Sequence, residues 1–235
     1  MRFFFTILFQ IAILFSYAQN PIGAWEMITQ NDDGSEMRMV VVFSESHQVA
    51  TWFDNASGAF IGTNGGAWSV AGNTMTELVE FDSRDSSRVG TSVSFDFEGD
   101  NDKMRIVGTD VWLKRIDDGT PGELNGAWLM SGRKRNGEIQ DRDTSRPRKT
   151  MKILSGTRFQ WIAYNTATKE FKGTGGGTYT TIDGKYTENI EFFSKDDSRV
   201  GASLEFDYEL KNESWHHSGF SSKGTALYEI WSLRR

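Results

Sequence analysis

The chain carries the same sequence twice, and this constrains its folding more than any other feature. Residues 60–98, FIGTNGGAWSVAGNTMTELVEFDSRDSSRVGTSVSFDFE, align without a gap to residues 171–209, FKGTGGGTYTTIDGKYTENIEFFSKDDSRVGASLEFDYE. The offset is 111, and 19 of 39 positions are identical. Unrelated segments of this length share about two or three, so the match marks an internal duplication. The repeat extends upstream, where Gly23-Ala24-Trp25 matches Gly126-Ala127-Trp128. Downstream, Val111-Trp112-Leu113-Lys114-Arg115 aligns with Ile230-Trp231-Ser232-Leu233-Arg234. The expected units are residues 19–117 and 122–235, joined by the turn-rich Asp117–Gly122.

Each unit reads as seven to nine short strands separated by turns. Expected strands include Met37–Phe43, Gln48–Asp54, Ala67–Val70, Thr74–Phe81, Thr91–Phe97 and Lys103–Val107. No segment sustains a helical period beyond two turns. Antiparallel strands at this density close into a barrel or a sandwich. The glycine runs at 62–69 and 173–180 resemble phosphate loops in composition alone. Neither continues into Gly-Lys-Ser/Thr and neither opens a helix, so the amides and dipole of a helix N-terminus are missing. The expectation is a bulge or sharp bend in a strand.

The chain opens with Arg2, an apolar run over Phe3–Phe15 and Ser16-Tyr17-Ala18. This pattern predicts a signal peptide, residues 1–18, cut after Ala18, and hence export to the periplasm, the outer-membrane surface or the medium. There is no cysteine, so neither disulfides nor a lipid on an N-terminal cysteine can hold the exported protein. Stability must come from cores, for which 17 Phe, 8 Trp and 6 Tyr supply material.

Gly-x-Trp on the first strand, with a Trp and basic residues on the last, resembles the lipocalin and calycin pattern. The stretch FQWIAYN…GGGTYT…YTENIEF…WHHSG…EIWSLRR is similar to the lipocalin-like domains of exported Bacteroidetes proteins. The resemblance implies a small antiparallel lipocalin-like β-barrel, and with the duplication two tandem small antiparallel lipocalin-like β-barrels, an all-β fold and a departure from calycins, most of which are single barrels. It also implies a cation–π contact between each first-strand Trp and a C-terminal base. The pairs would be Trp25 with Lys114 or Arg115, and Trp128 with Arg234 or Arg235. The second copy fits the pattern along nearly its whole length. The first departs from it: Trp161 aligns with Thr51, and Trp215–His217 with Lys103–Arg105.

Alternation places Tyr186, Glu188, Ile190 and Phe192 on one face, with Met75, Glu77, Val79 and Phe81 as their counterparts. A carboxylate in an apolar row needs a partner. Arg88 and Arg199, in the repeated Asp-x-Ser-Arg-Val-Gly, are the candidates. Glu77 and Glu188 are then polar anchors in ligand pockets, structural Glu–Arg pairs at a barrel mouth, or outward-facing residues. Trp161, on a row with Phe159 and Ala163, is core or pocket wall. The expected ligand-binding set is Trp161, Tyr186, Glu188, Arg199, Glu77 and Arg88, with the second copy the better candidate.

Of the three histidines, His216 and His217 are adjacent and point to opposite faces of a strand, and the first copy has neither. No metal site, cofactor or nucleophile motif is expected, and the function class is non-catalytic binding. Residues 19–117 hold 7 basic and 16 acidic side chains, net −9, and residues 122–235 hold 18 and 15, net +3. The basic excess includes Arg133, Lys134 and Arg135, in a hairpin longer than its counterpart. This hairpin docks the copies together, contacts an anionic or envelope-protein partner, or is solvated. Nucleic acid does not suit an exported chain of net charge −6. The expected function is to carry or sense a small apolar or amphipathic ligand. The alternative is a structural or interaction component of the bacterial cell envelope with filled barrels.

Overall fold

The structure, a computed structural model, describes residues 20–120, 122–221 and 224–234. Residues 1–18, expected to be a signal peptide, and Arg235 lie outside the described residues. The first copy is a closed eight-stranded antiparallel barrel. Its strands are β1 (Gly23–Gln30), β2 (Glu36–Phe43), β3 (His47–Asp54), β4 (Phe60–Ala71), β5 (Thr74–Asp82), β6 (Ser92–Gly99), β7 (Lys103–Ile106) and β8 (Leu113–Asp117). The second copy contains β9 (Gly126–Arg135), β10 (Glu138–Asp141), β11 (Arg148–Leu154), β12 (Arg158–Asn165) and β13 (Glu170–Ile182). It continues through β14 (Lys185–Phe193), β15 (Ser203–Lys211), β16 (Ser214–Phe220) and β17 (Ala226–Arg234). Pairing of β17 with β9 closes it into a second eight-stranded barrel, with β10 hydrogen-bonded outside the ring to β9. The only helical pieces among the described residues are single 3-10 turns at Ser86–Arg88 and Asp197–Arg199.

Both glycine runs lie within strands, β4 and β13, and each carries a register shift, at Gly65/Gly66 and Gly176/Gly177. The requirement for glycine is steric. A Cβ on Gly177 would sit 2.0 Å from the Asn189 carbonyl oxygen, and one on Gly66 would sit 1.9 Å from that of Leu78. The runs bend the barrel wall, as expected of glycines at bulges.

The strand registers correct the alignment of the copies. Thr63 and Thr174, 111 apart, pair with Thr51 and Ile162, so Trp161 corresponds to Ala50 and not to Thr51. Likewise Trp215 corresponds to Met104. Trp231 pairs with Trp215 as Leu113 pairs with Met104, which shifts the last strand by one residue from the sequence alignment. Arg115 therefore pairs with Trp25, and Leu233 takes its place opposite Trp128. The guanidinium of Arg115 lies 4.0 Å from the Trp25 ring, the expected cation–π contact. Arg234 is not on Trp128 but on Glu80 of the other barrel, at 2.6 Å.

The bulges also change which face each side chain takes. On β14, Ile190 and Phe192 pair with consecutive glycines, so Glu191 is the extra residue. Past it the alternation reverses. Phe192 and its counterpart Phe81 leave the barrel interiors and enter a core between the barrels. That core joins Ala24, Val40, Val42, Val49 and Phe53 to Ala127, Leu129, Met151, Ile153 and Ile162. It is quasi-symmetric. Phe53 stacks on Phe192 at 5.0 Å, and their counterparts Tyr164 and Phe81 meet at 4.9 Å. Such an interface uses one patch twice, as in an isologous dimer. Around it Arg38 bonds Glu191, and Gln160 bonds Thr51 and Thr63. Asp117 accepts from Ser155 and from Gly156 and Thr157 of the second copy, which fixes the end of β8 against it.

Candidate functional site

Each barrel encloses its own cavity, of about 290 Å³ in the first and about 280 Å³ in the second. Glu77 and Glu188 face inward at equivalent places, each about 5 % exposed. The carboxylate-bearing row is therefore the inner one, but the two carboxylates have different surroundings.

In the second barrel Glu188 is paired. Lys152 of β11 donates from Nζ to Glu188 Oε1 at 2.7 Å, with both side chains buried. The ammonium also lies 4.9 Å from the ring centres of Tyr186 and Trp215, 5.2 Å from that of Trp231 and 6.0 Å from that of Phe206, so four aromatic faces help to solvate it. His217 is buried beside this group and faces Glu229 at 3.4 Å. Burial and the nearby Lys152 hold the His217 pKa below its usual value, which favours neutral imidazole. For Glu229, burial acts to raise the pKa, but His217 and Lys152 outweigh it and the carboxyl is lowered.

In the first barrel Glu77 has no such partner. The position of Lys152 is taken by Val41. Glu77 Oε1 makes no hydrogen bond. Burial raises its pKa against the opposing pull of Arg88 and Gln48. The walls are apolar, with Met39, Trp52, Met75, Phe95 and Met104 among them. A carboxyl whose folded pKa is raised favours folding below its ordinary value of 4.5, and that contribution is lost as pH rises through the folded value. Glu77→Gln, neutral at every pH, should therefore raise the melting temperature at pH 7, by about 2–4 °C per kcal/mol recovered. At pH 4 it should leave it nearly unchanged. Thermal unfolding at the two pH values checks this.

The expected Glu–Arg pairs are not formed. Arg88 bonds Asp82 at 2.7 Å, and Arg199 bonds Asp196 at 3.2 Å, because these aspartates lie just before them in the chain. Both arginines still line their cavities, as does Trp161. Tyr186 does not line the cavity. It is fully buried among Phe159, Tyr179, Phe206 and Trp215 and forms the core beneath Lys152. Sequence reasoning missed Lys152, His217 and Glu229 as cavity residues. The available signal was Lys152 itself, a lysine between Met151 and Ile153 in the apolar C-terminal half of β11.

Arg133, Lys134 and Arg135 lie at the β9–β10 hairpin, where Lys134 and Arg135 are exposed and Arg133 pairs across the ladder with Glu229. The charged contacts between the barrels are made elsewhere, by Arg38, Glu80, Glu191 and Arg234. A larger hollow of about 490 Å³ lies at the seam between barrels, bordered by Ser44–Ser46, Gly119 and Asn125–Ala127. It is a groove between the copies and not a barrel interior.

No curated protein matches the chain. The second barrel is similar to one known family: residues 123–233 match the domain of unknown function DUF4488.

Proposed function

We propose that this is an exported, non-catalytic, lipocalin-like binding protein that carries or senses a small apolar or amphipathic molecule inside a β-barrel. The observation that carries the reading is the first-barrel cavity. It has an apolar wall, a volume near the lower end of the ~300–1,000 Å³ usual for small-molecule sites, and one buried carboxylate. Glu77, Arg88 and Trp52 belong to that site. Glu188, Arg199 and Trp161 border the second cavity, where the carboxylate is already engaged by Lys152. The preference for the first barrel reverses the expectation from sequence.

The test is a neutral apolar fluorophore, N-phenyl-1-naphthylamine, titrated into the protein. Saturable enhancement is expected in the wild type. Ala50→Trp, which gives the first barrel the tryptophan that the second has at position 161, should abolish most of it by filling the cavity. Enhancement unchanged in a folded Ala50→Trp protein would count against this site.

A second reading, an interaction component of the envelope with filled barrels, is favoured by the exposed basic hairpin. Under that reading Arg133, Lys134 and Arg135 meet an envelope protein or another anionic partner. Reversing all three to Glu would abolish capture of the partner and leave fluorophore binding intact.

A further inference from the structure

We infer that the first barrel takes a ligand with an ammonium head, which sits against Glu77 where the second barrel places its own Lys152 against Glu188. The inference rests on the carrier reading above and adds the chemistry of the ligand. The two barrels descend from one sequence, and their registers match residue by residue through this region. The second barrel contains both halves of a buried ion pair, at 2.7 Å. The first has the carboxylate without the cation, since Val41 stands where Lys152 does.

A buried carboxylate held by Gln48 but by no ion pair is costly, and a protein that needed only a filled barrel would do better with an apolar residue at position 77. Glu77 nevertheless remains, 6 % exposed, with Oε1 unbonded. The cations on this wall are already paired, Arg88 with Asp82 at 2.7 Å and Arg105 with Glu98 at 2.6 Å. Arg88 acts on Glu77 only through space and neither arginine forms an ion pair with it, so the carboxylate is open to a cationic ligand. Around the head-group position the second barrel has Tyr186, Trp215 and Trp231, and the first has their counterparts Met75, Met104 and Leu113. Thioethers and a leucine form a soft apolar wall, suited to a flexible alkyl chain. An alkylamine thus matches both the charge and the lining.

The experiment is isothermal titration calorimetry of the purified protein with octylamine, 1-octanol and octanoate. Octylamine should bind at one site, about tenfold or more tighter than 1-octanol, and octanoate should not bind. Glu77→Gln should weaken octylamine about tenfold or more and leave 1-octanol nearly unchanged. Val41→Lys supplies the missing ammonium internally and should abolish octylamine binding, with circular dichroism reporting the fold. Should Val41→Lys fail to fold, the near-isosteric Glu77→Gln decides alone. If 1-octanol or octanoate binds as tightly as octylamine, or Glu77→Gln leaves octylamine unaffected, the ammonium head is overturned and the carrier reading survives. If none of the three binds, both fall.

Discussion

Replacing Lys152 by Met should be among the most damaging single changes in the second barrel. The substitution keeps the length of the side chain and removes its charge, leaving Glu188 buried at 7 % exposure with no counter-ion. Breaking one side of a buried pair typically costs about 3–5 kcal/mol. For a chain of this size that corresponds to a fall in melting temperature of roughly 6–20 °C. The four aromatic faces around the ammonium would lose their cation but keep their packing, so they add little to the loss. The double variant Lys152→Met with Glu188→Gln should recover most of the stability, because no charge is then left stranded. A thermal-unfolding double-mutant cycle measures the coupling directly. A double variant as unstable as the single one would mean that Lys152 acts through packing and not through its pair.

The second large effect is expected at the contact between barrels. Glu80 accepts from Arg234 through both carboxylate oxygens, at 2.6 and 2.7 Å, and from the Tyr164 hydroxyl at 2.5 Å. Its side chain is largely buried, so Glu80→Ala would strand the Arg234 guanidinium and the phenol at the seam. A loss of about 3 kcal/mol or more is expected, read as a shift in the urea midpoint. The pH dependence follows from the same contacts. Burial by itself would raise the pKa of Glu80, but His47, Arg234 and Tyr164 outweigh it and hold the carboxyl well below its ordinary value of 4.5. A lowered folded pKa contributes stability that is fully present above the unfolded value and is lost as pH falls toward the folded one. The gap in stability between wild type and Glu80→Gln should therefore be widest at neutral pH. It should narrow steadily below about pH 4.5, the ordinary value from which the unfolded carboxyl titrates. A gap independent of pH would mean that this carboxylate is not what couples the barrels to acid.

Much of the fold can be read in the sequence because duplication and period-two alternation are strong signals. The two all-β units and the bend at the glycine runs follow from them, and the lipocalin resemblance adds the choice of barrel over sandwich. The site is only half legible, and the reason is the seam between copies. An isolated barrel keeps its apolar residues inside, but here part of the outer face is buried as well. On β11 the apolar Met151 and Ile153 point outward into that seam, and Lys152 points in. Alternation alone makes Lys152 look like a solvent-facing charge. The bulge at Glu191 hides Phe192 in the same way, because one extra residue reverses the face of everything after it. The arginine partners were misassigned for a different reason. Asp82 and Asp196 are closer in sequence to Arg88 and Arg199 than the buried glutamates are, and a local turn contact forms in preference to a distant one.

Under the proposed function the first barrel is a binding cavity organised by Glu77. Native mass spectrometry of the protein purified gently from its own host tests it most directly. The expected result is a reproducible added mass of one small molecule, lost on denaturation and absent from Glu77→Gln prepared in the same way. A bare protein mass in the wild type, or an adduct that Glu77→Gln and Ala50→Trp both retain, would contradict it.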